Sequence, residues 1–75
     1  MFGKKIKTII KVDGMNCSHC ANKVINAISN IDGVSKVRVD LDSKSVTIIS
    51  KSSLDIKQVQ NKITDLDYKF LGVVE

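Results

Sequence analysis

The chain has 75 residues, 43% apolar and 27% charged, with no proline, no tryptophan and a formal net charge of +4. A chain of this length makes one small domain, spanning residues 1–75, and buries roughly 60% of the surface that its unfolded form exposes. The composition excludes disorder and low-complexity repeats, and no stretch nears the roughly 20 apolar residues that would insert into a bilayer.

The opening Met-Phe-Gly-Lys-Lys-Ile-Lys has charge but no apolar segment behind it of the signal-peptide kind, so cytoplasmic residence is the expectation. Lys4, Lys5, Lys7 and Lys11 concentrate the positive charge near the start. Such a basic edge would steer the domain toward an acidic partner. The preferred reading is plainer: the lysines line the exposed face of an edge strand and keep it from pairing with other chains.

Residues 4–12 alternate. Ile6, Thr8, Ile10 and Val12 share one face and Lys5, Lys7 and Lys11 the other, which predicts a half-buried strand. Ile9 breaks the alternation and falls on the outer face. From Ser18 the period lengthens: Ala21, Val24, Ile25, Ile28 and Ile31 predict an amphipathic helix. Ser18 is its expected N-cap, and Asp32-Gly33 closes it, with Gly33 at a left-handed C′ position.

Val34, Val37, Val39 and Leu41 predict a second strand, with Lys36, Arg38 and Asp40 pointing outward. A turn at residues 42–44 leads into a β-branched run at residues 46–50, so the pair reads as an antiparallel hairpin. Ser52 or Ser53 is the expected cap of a second helix, carried by Ile56, Val59, Ile63 and Leu66. Residues 68–74 predict the last strand.

The order is βαββαβ. Two right-handed β-α-β units with interleaved strands give an α+β, ferredoxin-like sandwich: a four-stranded antiparallel sheet backed by two helices. This architecture hosts many functions. An RNA-binding reading requires aromatics on the central strands; residues 4–12 and 46–50 have none, so nucleic acid is excluded as a main partner.

Both cysteines lie in Gly14-Met15-Asn16-Cys17-Ser18-His19-Cys20, where the strand pattern gives way to the helix pattern. Thiolates select soft metals such as Cu(I), and a helix N-terminus favours the thiolate. In a reducing cytosol such a pair reads as metal-binding or redox-active rather than as a structural disulfide.

This motif, in a βαββαβ chain of this length, resembles the heavy-metal-associated domain family, whose Gly-Met-x-Cys-x-x-Cys signature is matched at Gly14, Met15, Cys17 and Cys20. The likeness extends to Asp32-Gly33-Val34 and Tyr68. It implies a Cu(I) metallochaperone, not an enzyme, with Cys17 and Cys20 as the metal ligands. The implied partner is a copper-transporting P-type ATPase or its metal-binding domain, and a metal-bridged homodimer is a further option. The alternative within the family is the N-terminal domain of such an ATPase.

The resemblance also implies that Met15 packs inward and holds the loop, while His19 is a solvated side chain or a third ligand when two molecules share copper. Tyr68 marks the bacterial copper chaperones; its hydroxyl either covers the site or belongs to an ordinary strand start. Asn16 stands where zinc- and cadmium-transporting members carry Asp, which favours copper. Asp67 departs from the Gly that the family often places before this tyrosine. Lys23 and Lys69 are expected to be solvated.

Hg(II) and Zn(II) are the alternative metals. A closed structural zinc site needs four ligands, more than one copy of this chain offers from two Cys and one His. A thiol–disulfide oxidoreductase is the remaining, more distant reading. It fits the Cys-x-x-Cys at a helix start, but the chain is shorter than a thioredoxin domain and has no proline for a cis-proline loop.

Overall fold

The structure, a computed structural model, describes residues 5–74. Six elements follow in the predicted order: β1 (Ile6–Asp13), α1 (Ser18–Ser29), β2 (Val34–Asp40), β3 (Ser45–Ser50), α2 (Ile56–Asp65) and β4 (Lys69–Val73). The strands form one sheet of order β2-β3-β1-β4 with all pairings antiparallel. The architecture is the ferredoxin-like sandwich.

One face of the sheet carries the core. Ile10 and Val12 of β1 and Val46 and Ile48 of β3 are fully buried against Val24 and Ile28 of α1 and Val59 and Ile63 of α2. The strand residues recur every second position and the helical ones every fourth, so each element buries one stripe. Aliphatic side chains of this kind stabilise by about 1.5–3 kcal/mol each on burial. Ser50 lies on the same inner side, and its hydroxyl donates to the Ser52 carbonyl at 2.7 Å.

Irregular registers keep the pattern in phase. Val34 pairs with Ser50 and Lys36 with Ile49, leaving Ser35 as an extra residue in β2. That bulge lets both Val34 and Val37 face inward although they are three positions apart. A second irregularity separates the Val12–Phe70 and Lys11–Gly72 pairs, with Leu71 as the extra residue of β4.

Several local expectations are corrected. β1 is not an edge strand: it lies between β3 and β4, so its lysines project from the sheet's outer face rather than guard an edge. Lys4 lies outside the described residues. Ser18 does not cap α1; Cys17 holds the N-cap position with extended backbone, φ −158° and ψ 173°, and Ser18 is the first helical residue. Gly33 has a positive φ of 90°, but α1 closes at Asn30, so Gly33 turns the chain into β2 instead of ending the helix.

Neither Ser52 nor Ser53 caps α2. Asp55 does, its carboxylate accepting the Lys57 N–H at 3.0 Å. Tyr68 precedes β4, which begins at Lys69.

Candidate metal centre

The cysteine loop leaves the C-terminal end of β1. Asp13 ends the strand, and its carboxylate accepts the Gly14 N–H at 3.0 Å. Gly14 turns the chain with φ +106°, a conformation that L side chains rarely adopt. Space demands glycine as well: a Cβ there would lie 3.2 Å from Tyr68 Cδ1 and 3.6 Å from Tyr68 Cα. Met15 then drops into the core, only 7% exposed, and anchors the loop from below. Asn16 is exposed.

Cys17 is exposed and Cys20 half-buried against the core. The Cys17 carbonyl accepts the Ala21 N–H at 3.1 Å, which begins the helical ladder. No side chain caps the start of α1 and no acid occupies its first turn. The free N–H groups and the positive end of the helix dipole therefore face the thiols without competition from a carboxylate.

The two sulfurs are 3.8 Å apart, with the Cys17 thiol directed at Cys20. Both cysteines are free. That separation is nearly twice a disulfide bond and suits two thiolates sharing one soft ion.

Tyr68 reaches the same place from the other end of the fold. α2 closes with a Schellman motif: the Asp67 N–H donates to Thr64 O at 2.9 Å and the Tyr68 N–H to Ile63 O at 3.2 Å. Asp67 sits at the left-handed position with φ 66°. The motif throws the tyrosine back over Gly14 and toward Cys20.

The Tyr68 hydroxyl is the largest influence on Cys20. Hydrogen bonding from it, then from the Asn16 backbone and the Cys17 thiol, lowers the Cys20 pKa from 9.0 to about 7. Partial burial opposes this more weakly. The same contact raises the tyrosine to about 12, because its proton is held by the Cys20 thiolate. The tyrosine contact thus favours the Cys20 thiolate.

Of the expected site residues, Cys17, Cys20, Met15 and Tyr68 come together. His19 does not join them: it is exposed on the first turn of α1. Lys23, Asp67 and Lys69 are exposed too. Among the described residues, no cluster of three or more His, Cys, Asp or Glu side chains is placed to hold a metal. The glycine at position 14 signals a backbone conformation or a close approach; that Tyr68 is the group that approaches has no local signal.

The pattern of heavy-metal-associated domains matches residues 9–69. The chain belongs to the heavy-metal-associated domain family. The copper chaperone CopZ of Staphylococcus haemolyticus is 34% identical over 64 residues, covering 84% of this chain and 94% of that protein. Among solved structures, a CopZ metallochaperone is 33% identical with TM-score 0.81, over 88% of this chain and all of that one. The yeast copper transporter domain Ccc2a, solved in apo and Cu(I)-loaded states, shares the fold with TM-score 0.83 at 20% identity, over 92% of this chain and 94% of that one.

Proposed function

We propose that this domain is a cytoplasmic metallochaperone that binds Cu(I) through Cys17 and Cys20. It hands the ion to a copper-transporting P-type ATPase, or to the metal-binding domain of one, and is not an enzyme. The observation that carries the reading is the donor set: two thiols 3.8 Å apart at an uncapped helix start. The 34% identity to a copper chaperone over 84% of the chain supports it.

Two thiolates satisfy Cu(I) in near-linear geometry and leave its sides open. Linear ligation of one ion asks the sulfurs to move apart from their 3.8 Å separation. The exposed side chain of Cys17, at the N-cap position, supplies that movement. Cys20 is the fixed arm, on the helix and against the core.

Transfer follows by ligand exchange. A partner thiol loses its proton and attacks the ion, giving a three-coordinate intermediate. Cys17 then leaves and takes up a proton, and a second partner thiol, its proton passing to solvent, displaces Cys20 as the thiolate. Copper stays Cu(I) throughout. The Tyr68 hydroxyl favours the Cys20 thiolate in the metal-free domain.

The test is anaerobic competition of Cu(I) and Zn(II) for the reduced protein and for a Cys17→Ser/Cys20→Ser variant, read with a colorimetric Cu(I) chelator and native mass spectrometry. The parent alone should hold Cu(I) against the chelator. Retention of Zn(II) or Hg(II) in preference to Cu(I), or equal loss of Cu(I) from both proteins, rejects the copper reading. Native masses also report any metal-bridged homodimer and the part His19 plays in it.

A further inference from the structure

The outer face of the sheet, remote from the helices, is built as a charged and aliphatic plane. Lys7, Ile9 and Lys11 alternate with the buried Ile10 and Val12 of β1, so they project outward. Across the ladder Lys36 and Lys7 flank Ile49, while Arg38 and Ile9 flank Thr47. Lys7, Lys36, Arg38, Thr47 and Ile49, together with Asp40 and Asp42, line an open depression of about 750 Å³.

These cations lack carboxylate partners: among the described residues the ion pair found is Lys44 with Asp13. Of the two acids that line the depression, Asp40 and Asp42, Asp40 accepts the N–H groups of Asp42 and Ser43 through one carboxylate oxygen. By count, Lys7, Lys11, Lys36 and Arg38 exceed Asp40 and Asp42 on this face, whereas Lys23, Lys57 and Lys62 on the helices are matched in number by Asp32, Asp55 and Asp65. The molecule is therefore electrically two-sided.

Exposed aliphatics continue the plane at the β4 side. Leu71 follows the inward Phe70 and is 54% exposed. Val74 follows Val73, the partner of inward Ile10; it bonds Ile9 through its N–H and is 55% exposed. Cations beside exposed aliphatics on a flat surface are the ingredients of interfacial membrane binding, in which apolar burial adds to attraction for anionic headgroups. An acidic protein segment would satisfy the cations but leave Leu71 and Val74 unexplained.

We propose that the outer face of the sheet docks peripherally on an anionic lipid bilayer. The cysteine loop leaves from the Asp13 end of β1, whereas Lys7, Lys36 and Ile49 lie toward the opposite end. Docking by this face leaves Cys17 and Cys20 open to a laterally diffusing partner. The contact needs no metal, so it stands or falls separately from the copper reading.

The experiment is co-sedimentation of the reduced apo protein with phosphatidylcholine vesicles, with and without phosphatidylglycerol, at low and high salt. Binding should require phosphatidylglycerol and fall with salt. Each cation near an anionic surface contributes about fivefold, so Lys7→Gln/Lys36→Gln/Arg38→Gln should bind about a hundredfold more weakly. At about 0.1 M salt the helical face is roughly a Debye length further away, so Lys23→Gln/Lys57→Gln/Lys62→Gln should stay within about threefold of the parent. Leu71→Ser/Val74→Ser should lose the salt-resistant part of binding.

Circular dichroism confirms that each variant is folded. Equal binding to neutral vesicles, equal losses in the two triple variants, or indifference to Leu71→Ser/Val74→Ser overturns the proposal. Capture of polyglutamate without capture of anionic vesicles overturns it too, in favour of an acidic protein. The Cys17→Ser/Cys20→Ser variant should bind vesicles as the parent does.

Discussion

Gly14 and Tyr68 fill one space from two ends of the chain: a Cβ on Gly14 would come within 3.2 Å of the Tyr68 ring. The loop that presents Cys17 and the residue that tunes Cys20 are therefore not independent. Gly14→Ala must both adopt φ +106° and push the ring aside. The backbone strain alone costs about 1–2 kcal/mol. The displaced hydroxyl should also release Cys20, so thiolate absorbance near 240 nm should titrate at higher pH than in the parent.

Tyr68→Phe isolates the hydroxyl. The Cys20 midpoint should rise from about 7 toward its ordinary 9.0, with little change in near-native packing because only the oxygen is lost. The sign for stability follows from linkage. Below about 7 the thiol is protonated in both folded and unfolded chains, and it contributes nothing. As the pH climbs from about 7 to 9 the folded form is ionised while the unfolded form is not, so the reduced protein gains stability that is complete above 9. Denaturant melts across that window should show the gain in the parent and a flatter profile in Tyr68→Phe.

Asp67 holds a left-handed backbone, φ 66°, at the C′ position that glycine usually fills. Asp67→Gly should stabilise the domain by about 1 kcal/mol, since the steric cost of the side chain outweighs the extra freedom of the unfolded glycine. For a domain of this size that is a rise in Tm of about 4–8 °C. Calorimetry of the reduced apo protein checks it.

The caps of α2 are separable. Asp55→Ala removes the acceptor for the Lys57 N–H and should cost about 0.5–2 kcal/mol in urea melts. Ser53→Ala should stay within about 0.5 kcal/mol, because its side chain holds no helix N–H.

Most of the architecture was legible because burial imposes a period. The two-residue rhythm through Ile10 and Val12 and the helical rhythm through Val24 and Ile28 mark core faces whatever their neighbours are. Strand order is another matter. Lys7 and Lys11 look the same on an edge strand and on the solvent face of a central one, and only pairing with β3 and β4 decides. Capping failed for a related reason. Ser18, Ser52 and Ser53 are all competent caps, so the choice of Cys17 and Asp55 depends on where the backbone leaves the extended region. Around the site, Gly14, Met15, Cys17 and Cys20 announced themselves as a motif. The approach of Tyr68 was suggested only by the family likeness, beside the plainer reading of a strand start, because it is set by a helix end more than forty residues away.

The central place of β1 also separates two kinds of motion. Its amides are laddered to β3 on one side and β4 on the other, so exchange with solvent there requires the sheet to part. The cysteine loop begins where that double ladder ends. Deuterium uptake should therefore be slowest through Ile10 and Val12 and fast through Asn16 and Cys17. Metal binding should slow the loop and leave the strand as it was: the root of the site is rigid before any ion arrives.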